Sequence, residues 1–329
     1  MWYSAVGFLM TLALNLLAAP YATTAQPLGK IPRVGVLEPT PQQRPAPCLP
    51  AFQQGMRNLG YVEGQTIVFD YRYGEGQTDR LPALARELVQ RTPDLLWTHS
   101  NPGALAAKAA TTTIPIVVGV AIDLVDIGLT ESIARPGGNL TGLELRPVEL
   151  AGKRLQLFKE TVPTITRVAV LVDPAWTAQT SIPGSIAREA RTLGVQLQRV
   201  EAHAPAAFET AFAAMARGRA NALMIMESEV FATHREQLAA LAIRHRLPAM
   251  SYGPHHAEAG SLLAYGADPR ELCQRSAVFV DKILKGAKPA DLPIERAFKF
   301  PFVINLKTAK ALGLTISPSL LARADRVID

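Results

Sequence analysis

The segment LLWTHSNPGALAAKAATTTIPIVVGV (95–120) contains two apolar runs that are separated by a polar turn and an alanine-rich stretch. The pattern predicts buried strands over 94–97 and 114–120, with a helix over 102–110 between them. Two neighbouring parallel strands need a crossover connection of about this length, which is usually helical. The segment is therefore typical of a strand–helix–strand unit in an α/β protein.

The same alternation of strand and helix extends in both directions from this unit. It begins near residue 31, and a second series of the same kind begins near residue 148. This order predicts an α/β fold with two Rossmann-like lobes, each a parallel sheet wound by helices on both sides. The other predicted strands are 33–37, 65–73, 167–172, 195–200, 221–226, 248–252 and 261–265; the other predicted helices are 48–59, 79–91, 123–134, 148–160, 179–193, 206–216, 230–245 and 269–285.

The composition is that of a globular protein large enough for two domains. A chain of 329 residues exceeds the size at which single cores usually stop growing, and 48% of it is hydrophobic. The net charge is +6, but the Lys and Arg residues form no basic stripe with interleaved aromatic residues. Nucleic-acid binding is therefore not predicted.

The N-terminal segment has the features of an export signal. Residues 6–19 are mostly apolar and are followed by Pro20 and small residues, which is typical of a signal peptide cleaved after Ala25. The stretch is too short and too polar for a typical transmembrane span, although an uncleaved membrane anchor is the alternative. No basic residue precedes it, which departs from the usual signal. We expect a periplasmic protein with no lipoprotein anchor, because no cysteine lies at the cleavage site.

The two cysteines and the adjacent histidines do not predict a metal site. Cys48 and Cys273 are far apart in the sequence, and nothing in it fixes the distance between them. We interpret them as two free or buried thiols. His255 and His256 are adjacent and lack the spacing of zinc ligands, so no metal and no cofactor are predicted.

Polar residues follow several of the predicted strands, at the edge where open α/β sheets bind ligands. Ser100 and Asn101 begin a helix, where free amides, including that of Gly103, favour an anionic group such as a ligand carboxylate. A simple helix cap is the alternative. The acids Asp123 and Asp173 follow two strands, and they suit either a ligand ammonium group or a turn. The candidate ligand-binding residues are Thr40, Thr98, Ser100, Asn101, Gly103, Ala121, Asp123, Asp173, Trp176, Glu227, Tyr252 and Tyr265.

No pattern of catalytic residues is found in the sequence. It has no G-x-S-x-G elbow, no P-loop and no G-x-G-x-x-G turn after a strand. A nucleophile triad of His99, Ser100 and Asp123 would rest on little more than adjacency. We therefore predict a binding protein rather than an enzyme, with no catalytic residues.

Several longer segments together resemble a known family. They are AFQQGMRNLGYVEGQTIVFDYRYGEGQTDRLPALARELV (51–89), AAKAATTTIPIVV (106–118), ARPGGNLTGLE (134–144), ELAGKRLQLFKETVP (149–163) and FVINLKTAKALGLTISPSLLARADRVI (302–328). Their order is similar to that of ABC-transporter substrate-binding proteins of the tryptophan/tyrosine transport type. The resemblance implies the periplasmic-binding-protein fold of type I, with three crossovers and a hinged cleft that closes on a small molecule.

The resemblance also implies a domain map and a set of partners. The map has a signal peptide at 1–25, a first lobe of 31–141 plus 266–295, and a second lobe of 142–265 plus 296–329. The implied protein is a monomeric solute-binding subunit that delivers an amino acid or a related polar or aromatic compound to ABC permease membrane subunits. A ligand-sensing receptor module of the same fold, with a signalling partner, is the alternative. The sequence departs from the family pattern at THSNPGA (98–104) and MESEVF (226–231), so the resemblance does not identify the ligand. The family pattern also gives no role for His99.

Overall fold

Strands and helices alternate along the chain, as the apolar periodicity predicts. The computed structural model describes residues 30–43, 46–145, 147–174 and 184–329, and of residues 147–149 it describes the backbone only. The predicted signal peptide and Trp176 lie outside the described residues. Residues Pro32–Asp329 form one compact unit.

The strands and helices that this compact unit contains have the following bounds. The strands are β1 (Arg33–Glu38), β2 (Val68–Tyr73), β3 (Leu95–Thr98), β4 (Ile116–Ile122), β5 (Leu140–Leu145), β6 (Arg167–Val172), β7 (Gln196–Glu201), β8 (Ala222–Ile225), β9 (Ala249–Ser251), β10 (Leu263–Tyr265), β11 (Glu295–Arg296), β12 (Phe302–Asn305) and β13 (Arg326–Ile328). The helices are α1 (Cys48–Asn58), α2 (Leu81–Gln90), α3 (Asn101–Ala110), α4 (Pro147–Thr161), α5 (Gly184–Thr192), α6 (Phe208–Arg217), α7 (Glu229–Thr233), α8 (Arg235–Arg244), α9 (Pro254–Glu258), α10 (Pro269–Leu284), α11 (Leu306–Ala311) and α12 (Pro318–Leu321). Single 3₁₀ turns cover Thr78–Arg80, Pro205–Ala207 and Pro289–Asp291.

The described strands form two sheets, which confirms the predicted α/β class. The first sheet has the order β11-β5-β4-β3-β1-β2, and its neighbouring strands are all parallel. The second has the order β13-β12-β10-β9-β8-β6-β7, and β12 runs antiparallel to β10. Because the chain re-enters this sheet from the side of the first sheet, β12 must run opposite to its neighbour.

The chain passes from one sheet to the other after β5, after β10 and after β11. Parallel strands of one sheet end at the same edge, so the residues after each strand gather where the chain crosses between the sheets. We propose that the two sheets are the cores of the two lobes. The lobe boundaries at 142, 266 and 296 stay predictions, and β5 pairs with β4 as far as Leu145.

A buried aromatic pair fixes helices α1 and α10 on one face of the first sheet. Trp97 of β3 stacks on Phe52 of α1 with ring centroids 4.2 Å apart, and both side chains are fully buried. The indole N–H of Trp97 donates to Ser276 Oγ of α10 at 2.9 Å, so this buried polar group is satisfied. At Gly55 in α1, a Cβ atom would lie 2.3 Å from the carbonyl oxygen of Gln274 in α10. A glycine therefore permits the close approach of the two helices.

This approach brings the two cysteines together. Cys48 in α1 and Cys273 in α10 form a disulfide, with their Cα atoms 5.3 Å apart at a sequence separation of 225. The interpretation of two free or buried thiols is therefore wrong. The contact depends on tertiary packing of two distant helices, which no local sequence pattern shows.

Two predicted helices differ in the structure. Turns occupy the predicted helix over 123–134, since Asp123 and Gly128 have φ of +51° and +74°, in the left-handed region that no helix interior permits. The predicted helix over 230–245 is divided into α7 and α8 at His234, whose φ and ψ of −108° and 26° are not helical. No helix of the described residues is long and apolar enough to cross a bilayer.

Candidate functional site

Two cavities lie between the lobes, at the carboxyl ends of strands from both sheets. The one we call the Thr40 cavity has a volume of about 340 Å³, which is within the range of small-molecule sites, and the one we call the His99 cavity has a volume of about 50 Å³. Ser100 of the first lobe and Glu229 of the second line both. The Thr40 cavity is also lined by Pro39, Thr40, Pro41, Glu75, Gly76, Thr78, Pro102, Asp173, His203, Ala204, Pro205, Val230, Thr233 and His234. The His99 cavity is also lined by Ala46, Pro47, Cys48, His99, Val120, Ala121, Ile122, Leu145, Glu227, Ser228, Ala232, Tyr252, His255 and Pro269.

The candidate residues predicted from the sequence divide into two groups. Those that line a cavity are Thr40, Ser100, Ala121, Asp173, Glu227 and Tyr252. Those that lie behind the lining are Thr98, Asn101, Gly103, Asp123 and Tyr265. A role of any of them in ligand binding stays a prediction.

Ser100 caps α3, and it does so with an unusual backbone. Its φ is +67°, and its hydroxyl oxygen accepts a hydrogen bond from the amide of Gly103 at 3.4 Å. The amide of Ala104 donates to the Ser100 carbonyl at 3.1 Å. The amide of Gly103, which the sequence suggested for a ligand carboxylate, is therefore engaged within the cap, while Ser100 lines both cavities.

Three residues behind the lining hold the strand ends in place. The Asn101 side chain donates to the Ile122 carbonyl at 3.0 Å and accepts from the Ile122 amide at 2.7 Å, which ties α3 to the end of β4. Thr98 Oγ1 donates to the Leu37 carbonyl at 2.8 Å and so joins β3 to β1. A Cβ at Gly103 would lie 2.3 Å from Thr98 Oγ1, so this position has no room for a side chain.

His99 lies between two carboxylates that come from different lobes. Its Nε2 is 2.9 Å from Oε1 of Glu38, and its Nδ1 is 3.6 Å from Oε2 of Glu229. Burial lowers the pKa of His99, but the charges of Glu38 and Glu229 outweigh that effect and raise the pKa to about 10. The imidazole is therefore a cation at neutral pH.

Glu38 is the fixed partner of this histidine. It is fully buried, and its Oε1 accepts from the Thr40 amide at 3.0 Å and from Thr40 Oγ1 at 2.5 Å. The Thr40 hydroxyl oxygen in turn accepts from the Ala46 amide at 2.9 Å. Thr40 thus shapes the loop after β1 as well as facing the cavity. Neither Glu38 nor Glu229 was predicted as a site residue, although Glu38 ends β1 and Glu229 follows β8 after a short turn.

An ion pair and two hydrogen bonds position the acids of the second lobe. Arg154 of α4 is almost fully buried; it donates to Glu227 Oε1 at 2.6 Å and to the Tyr265 carbonyl at 2.7 Å. Asp173 Oδ2 accepts from the hydroxyl of Ser228 at 2.7 Å. Tyr265 therefore reaches this network through its backbone, while its ring packs against the core of the second lobe.

Tyr252 and His255 line the His99 cavity beside Glu227 and Glu229, and together with the buried His256 they form what we call the aromatic wall. The rings of His255 and His256 lie 5.4 and 4.6 Å from the ring of Tyr252, measured between centroids. Burial lowers the pKa of His255 to about 3, with help from the charges of Arg235 and Arg270, and burial lowers the pKa of His256 as well. Burial likewise raises the pKa of Tyr252, so all three rings are neutral at physiological pH.

The cleft therefore combines carboxylates with neutral aromatic surface. Carboxylates suit an ammonium group, and aromatic faces suit a cation or another ring. Among the described residues no group of three or more His, Cys, Asp and Glu side chains is arranged to hold a metal ion.

The fold and the cleft define a two-lobed α/β protein with cavities between its lobes. A family model described as ABC transporter substrate binding protein matches residues 48–328, and the chain belongs to this family. This confirms the resemblance seen in the sequence. The family is one of solute-binding proteins rather than enzymes.

Individual proteins are also similar to this chain, one in sequence and two in structure. The chain is 22% identical over 263 residues to a protein named Tyrosine-binding protein from Clostridioides difficile strain R20291, covering 80% of this chain and 75% of that one. A conserved domain protein from Vibrio cholerae O1 biovar eltor has a similar structure with a TM-score of 0.81, 28% identity, and coverage of 91% and 100%. An ABC domain from Streptococcus pneumonia in complex with L-Trp has a TM-score of 0.81, 23% identity, and the same coverage. These structures confirm the type I periplasmic-binding-protein fold.

Proposed function

We propose that this protein is the extracytoplasmic solute-binding subunit of an ABC importer and that it captures an amino acid, or a related polar or aromatic compound, between its lobes. The observation that carries the proposal is the pairing of carboxylates with neutral aromatic rings in the lining of the His99 cavity. Family membership and the tyrosine and tryptophan ligands in the names of two relatives support it.

The arrangement suggests how an aromatic amino acid would be held. A ligand in the Thr40 cavity would extend into the His99 cavity past Ser100 and Glu229, which line both. Glu229 and Glu227 would then accept hydrogen bonds from the ammonium group, and Tyr252 would pack against the ring of the ligand. The hydroxyl of Ser100 would meet the ligand from the opposite lobe. Asp123 and Trp176 remain proposed contacts on their sequence position alone, while Asp173 also lines the Thr40 cavity.

The proposal includes a compartment and a partner. An importer subunit of this family would present its closed lobes to ABC permease membrane subunits, as a monomer and without catalysis. The disulfide between Cys48 and Cys273 supports an oxidising compartment such as the periplasm, because structural disulfides persist there. No observation favours the alternative of a ligand-sensing receptor.

Thermal denaturation with a ligand panel tests the proposed substrate class. L-tryptophan and L-tyrosine are expected to stabilise the protein, by about 2.7 kcal/mol when present at about a hundred times Kd. The matched compounds are tyramine, which lacks the carboxylate, and 3-(4-hydroxyphenyl)propionate, which lacks the ammonium group. The propionate is expected to bind least, because it offers no ammonium group to the carboxylates that line the cleft. Stabilisation by uncharged compounds and by no amino acid would contradict the proposal.

A variant of the aromatic wall tests the location of the site. Tyr252→Leu keeps most of the buried apolar volume but removes the ring, so affinity for L-tryptophan is expected to fall about three- to tenfold. Isothermal titration calorimetry measures the change. The control is Tyr61→Leu, because Tyr61 is a part-buried tyrosine bonded to Asp281, away from both cavities. Equal losses of affinity in the two variants would place the site elsewhere.

A further inference from the structure

We propose that His99 is a positioning residue that joins the two lobes in the closed conformation by bridging Glu38 of the first lobe and Glu229 of the second. The inference concerns the closing motion. It rests on the proposed function only in that a solute-binding protein must close around its ligand.

The three residues come from strand ends that face each other across the cleft. Glu38 ends β1 and His99 follows β3, which pairs directly with β1 in the first sheet. Glu229 begins α7, directly after the turn that follows β8 in the second sheet. The contact of 3.6 Å between His99 Nδ1 and Glu229 Oε2 therefore connects two separate sheets.

The two ends of the bridge differ in their exposure to solvent. Glu38 and His99 are buried within one lobe, with side chains that are 0% and 1% exposed, while the Glu229 side chain is 20% exposed and lines both cavities. Opening of the cleft would leave the Glu38–His99 contact intact and break only the contact with Glu229. The bridge would thus form on closure, and it would hold the Glu229 carboxylate against the bound solute.

The charges around His99 determine how strongly the bridge favours closure. The acids that face the imidazole are Glu38 from β1 and Glu229 from α7, and these are the charges that raise its pKa to about 10 against the effect of burial. Glu227, Tyr252 and His255 line the same cavity. The contact of His99 with Glu38 at 2.9 Å is a charge-assisted hydrogen bond, and the contact with Glu229 at 3.6 Å is an ion pair in a largely buried site, where opposite charges attract more strongly than in water.

A pH dependence of closure follows from this arrangement. When the lobes open, His99 keeps its buried contact with Glu38 but loses the charge of Glu229, so its pKa in the open form is lower than in the closed form. A group whose pKa is raised in the closed form favours closure at all pH values below its open-form pKa. The closed population is therefore expected to fall as pH rises through the closed-form pKa of about 10.

Distance measurements between spin labels on the two lobes test the bridge without any ligand. Labels at Asp79→Cys and Thr210→Cys occupy exposed positions near the two rims of the Thr40 cavity. Double electron–electron resonance then resolves a short, closed distance from a long, open one. The same measurement is made with L-tryptophan added, as a separate readout of the proposed function.

Glu229→Gln is the decisive variant, because it removes the charge, keeps the shape and affects a partly exposed side chain that the fold does not need. It is expected to reduce the ratio of closed to open molecules about tenfold and to remove the change between pH 8 and pH 11. His99→Asn should have the same effect if it folds. Glu236→Gln is the matched control, since Glu236 is an exposed acid of α8 outside the cavity linings and should leave closure unchanged.

The outcomes separate the inference from the proposed function. A Glu229→Gln variant with the closed population and pH profile of the parent would overturn the bridge, whatever the protein binds. Loss of closure in Glu229→Gln but not in Glu236→Gln would establish the bridge, even if L-tryptophan failed to bind and the proposed ligand class were wrong.

Discussion

Replacing both Cys48 and Cys273 by alanine is expected to lower the free energy of unfolding by about 5 kcal/mol. The disulfide closes a loop of 225 residues, and the chain-entropy model assigns a loop of that length roughly this stabilisation through the unfolded state. The loop contains every described strand except β1, β11, β12 and β13, so the cross-link constrains most of the unfolded chain. Urea denaturation of the parent and the double variant measures the difference.

A reducing agent supplies the control for this prediction. Dithiothreitol should destabilise the parent by a similar amount and leave the double alanine variant unaffected, because only the parent has a bond to reduce. Reduction of the disulfide should also alter the His99 cavity, because Cys48, at the start of α1, is part of its lining. Denaturation midpoints for the parent that do not change on reduction would show that the disulfide does not form in solution.

The fold could be predicted because its signal repeats along the chain. Each apolar run of strand length is followed by a stretch of helical periodicity, and many such units specify a parallel α/β sheet even if one is misread. The misread unit was 123–134, where the apolar spacing suits a helix. Its backbone turns at Asp123, and the Leu124 amide donates to Glu144 Oε1 at 2.8 Å. That acceptor lies 20 residues away on β5, so the deciding contact is tertiary.

The position of the site could be predicted, but the partners of its residues could not. The rule that ligands bind at the carboxyl ends of parallel strands found the cleft, because strand direction alone determines where those residues lie. Asn101 shows the limit of the rule: it lies at that edge, yet both polar atoms of its amide bind the backbone of Ile122. A strand-end polar residue can serve either the ligand or the neighbouring strand, and only the register between strands decides.

His99 is the opposite case, a residue of the site that no sequence motif indicates. The sequence has no motif that explains it, since its partners are 61 and 130 residues away and one of them belongs to the other lobe. A buried histidine beside two carboxylates acquires its charge from the assembled fold. Its role is therefore visible only when the two lobes are in place.

Replacing Arg154 by methionine is expected to destabilise the protein by about 3–5 kcal/mol. The side chains of Arg154 and Glu227 are only 3% and 6% exposed, and their contact is 2.6 Å. Removing the guanidinium would leave the Glu227 carboxylate buried without its countercharge, which is the costly way to break a buried ion pair. Chemical denaturation of the variant measures the loss.

Two further variants isolate the cause. In Arg154→Met with Glu227→Gln, no charge is left unpaired, so most of the lost stability should return, as it does when both members of a buried pair are replaced. Arg244→Met is the matched surface control: its partner Glu209 is also exposed, and loss of that pair should cost less than about 1 kcal/mol. Equal destabilisation by Arg154→Met and Arg244→Met would contradict the prediction.

Arg154 should affect the cleft as well as stability, because of the groups to which it donates. Its Nε donates to the carbonyl of Tyr265, the last residue of β10 before the chain crosses to the first lobe. The next residue is Gly266, where a Cβ atom would lie 2.1 Å from the Tyr252 carbonyl oxygen, so the backbone is tightly packed at this crossing. Arg154 thus ties a crossover segment to Glu227 in the wall of the His99 cavity. The double variant should therefore regain stability and still bind L-tryptophan more weakly than the parent, because the charge of Glu227 and the anchor of the crossing are both lost.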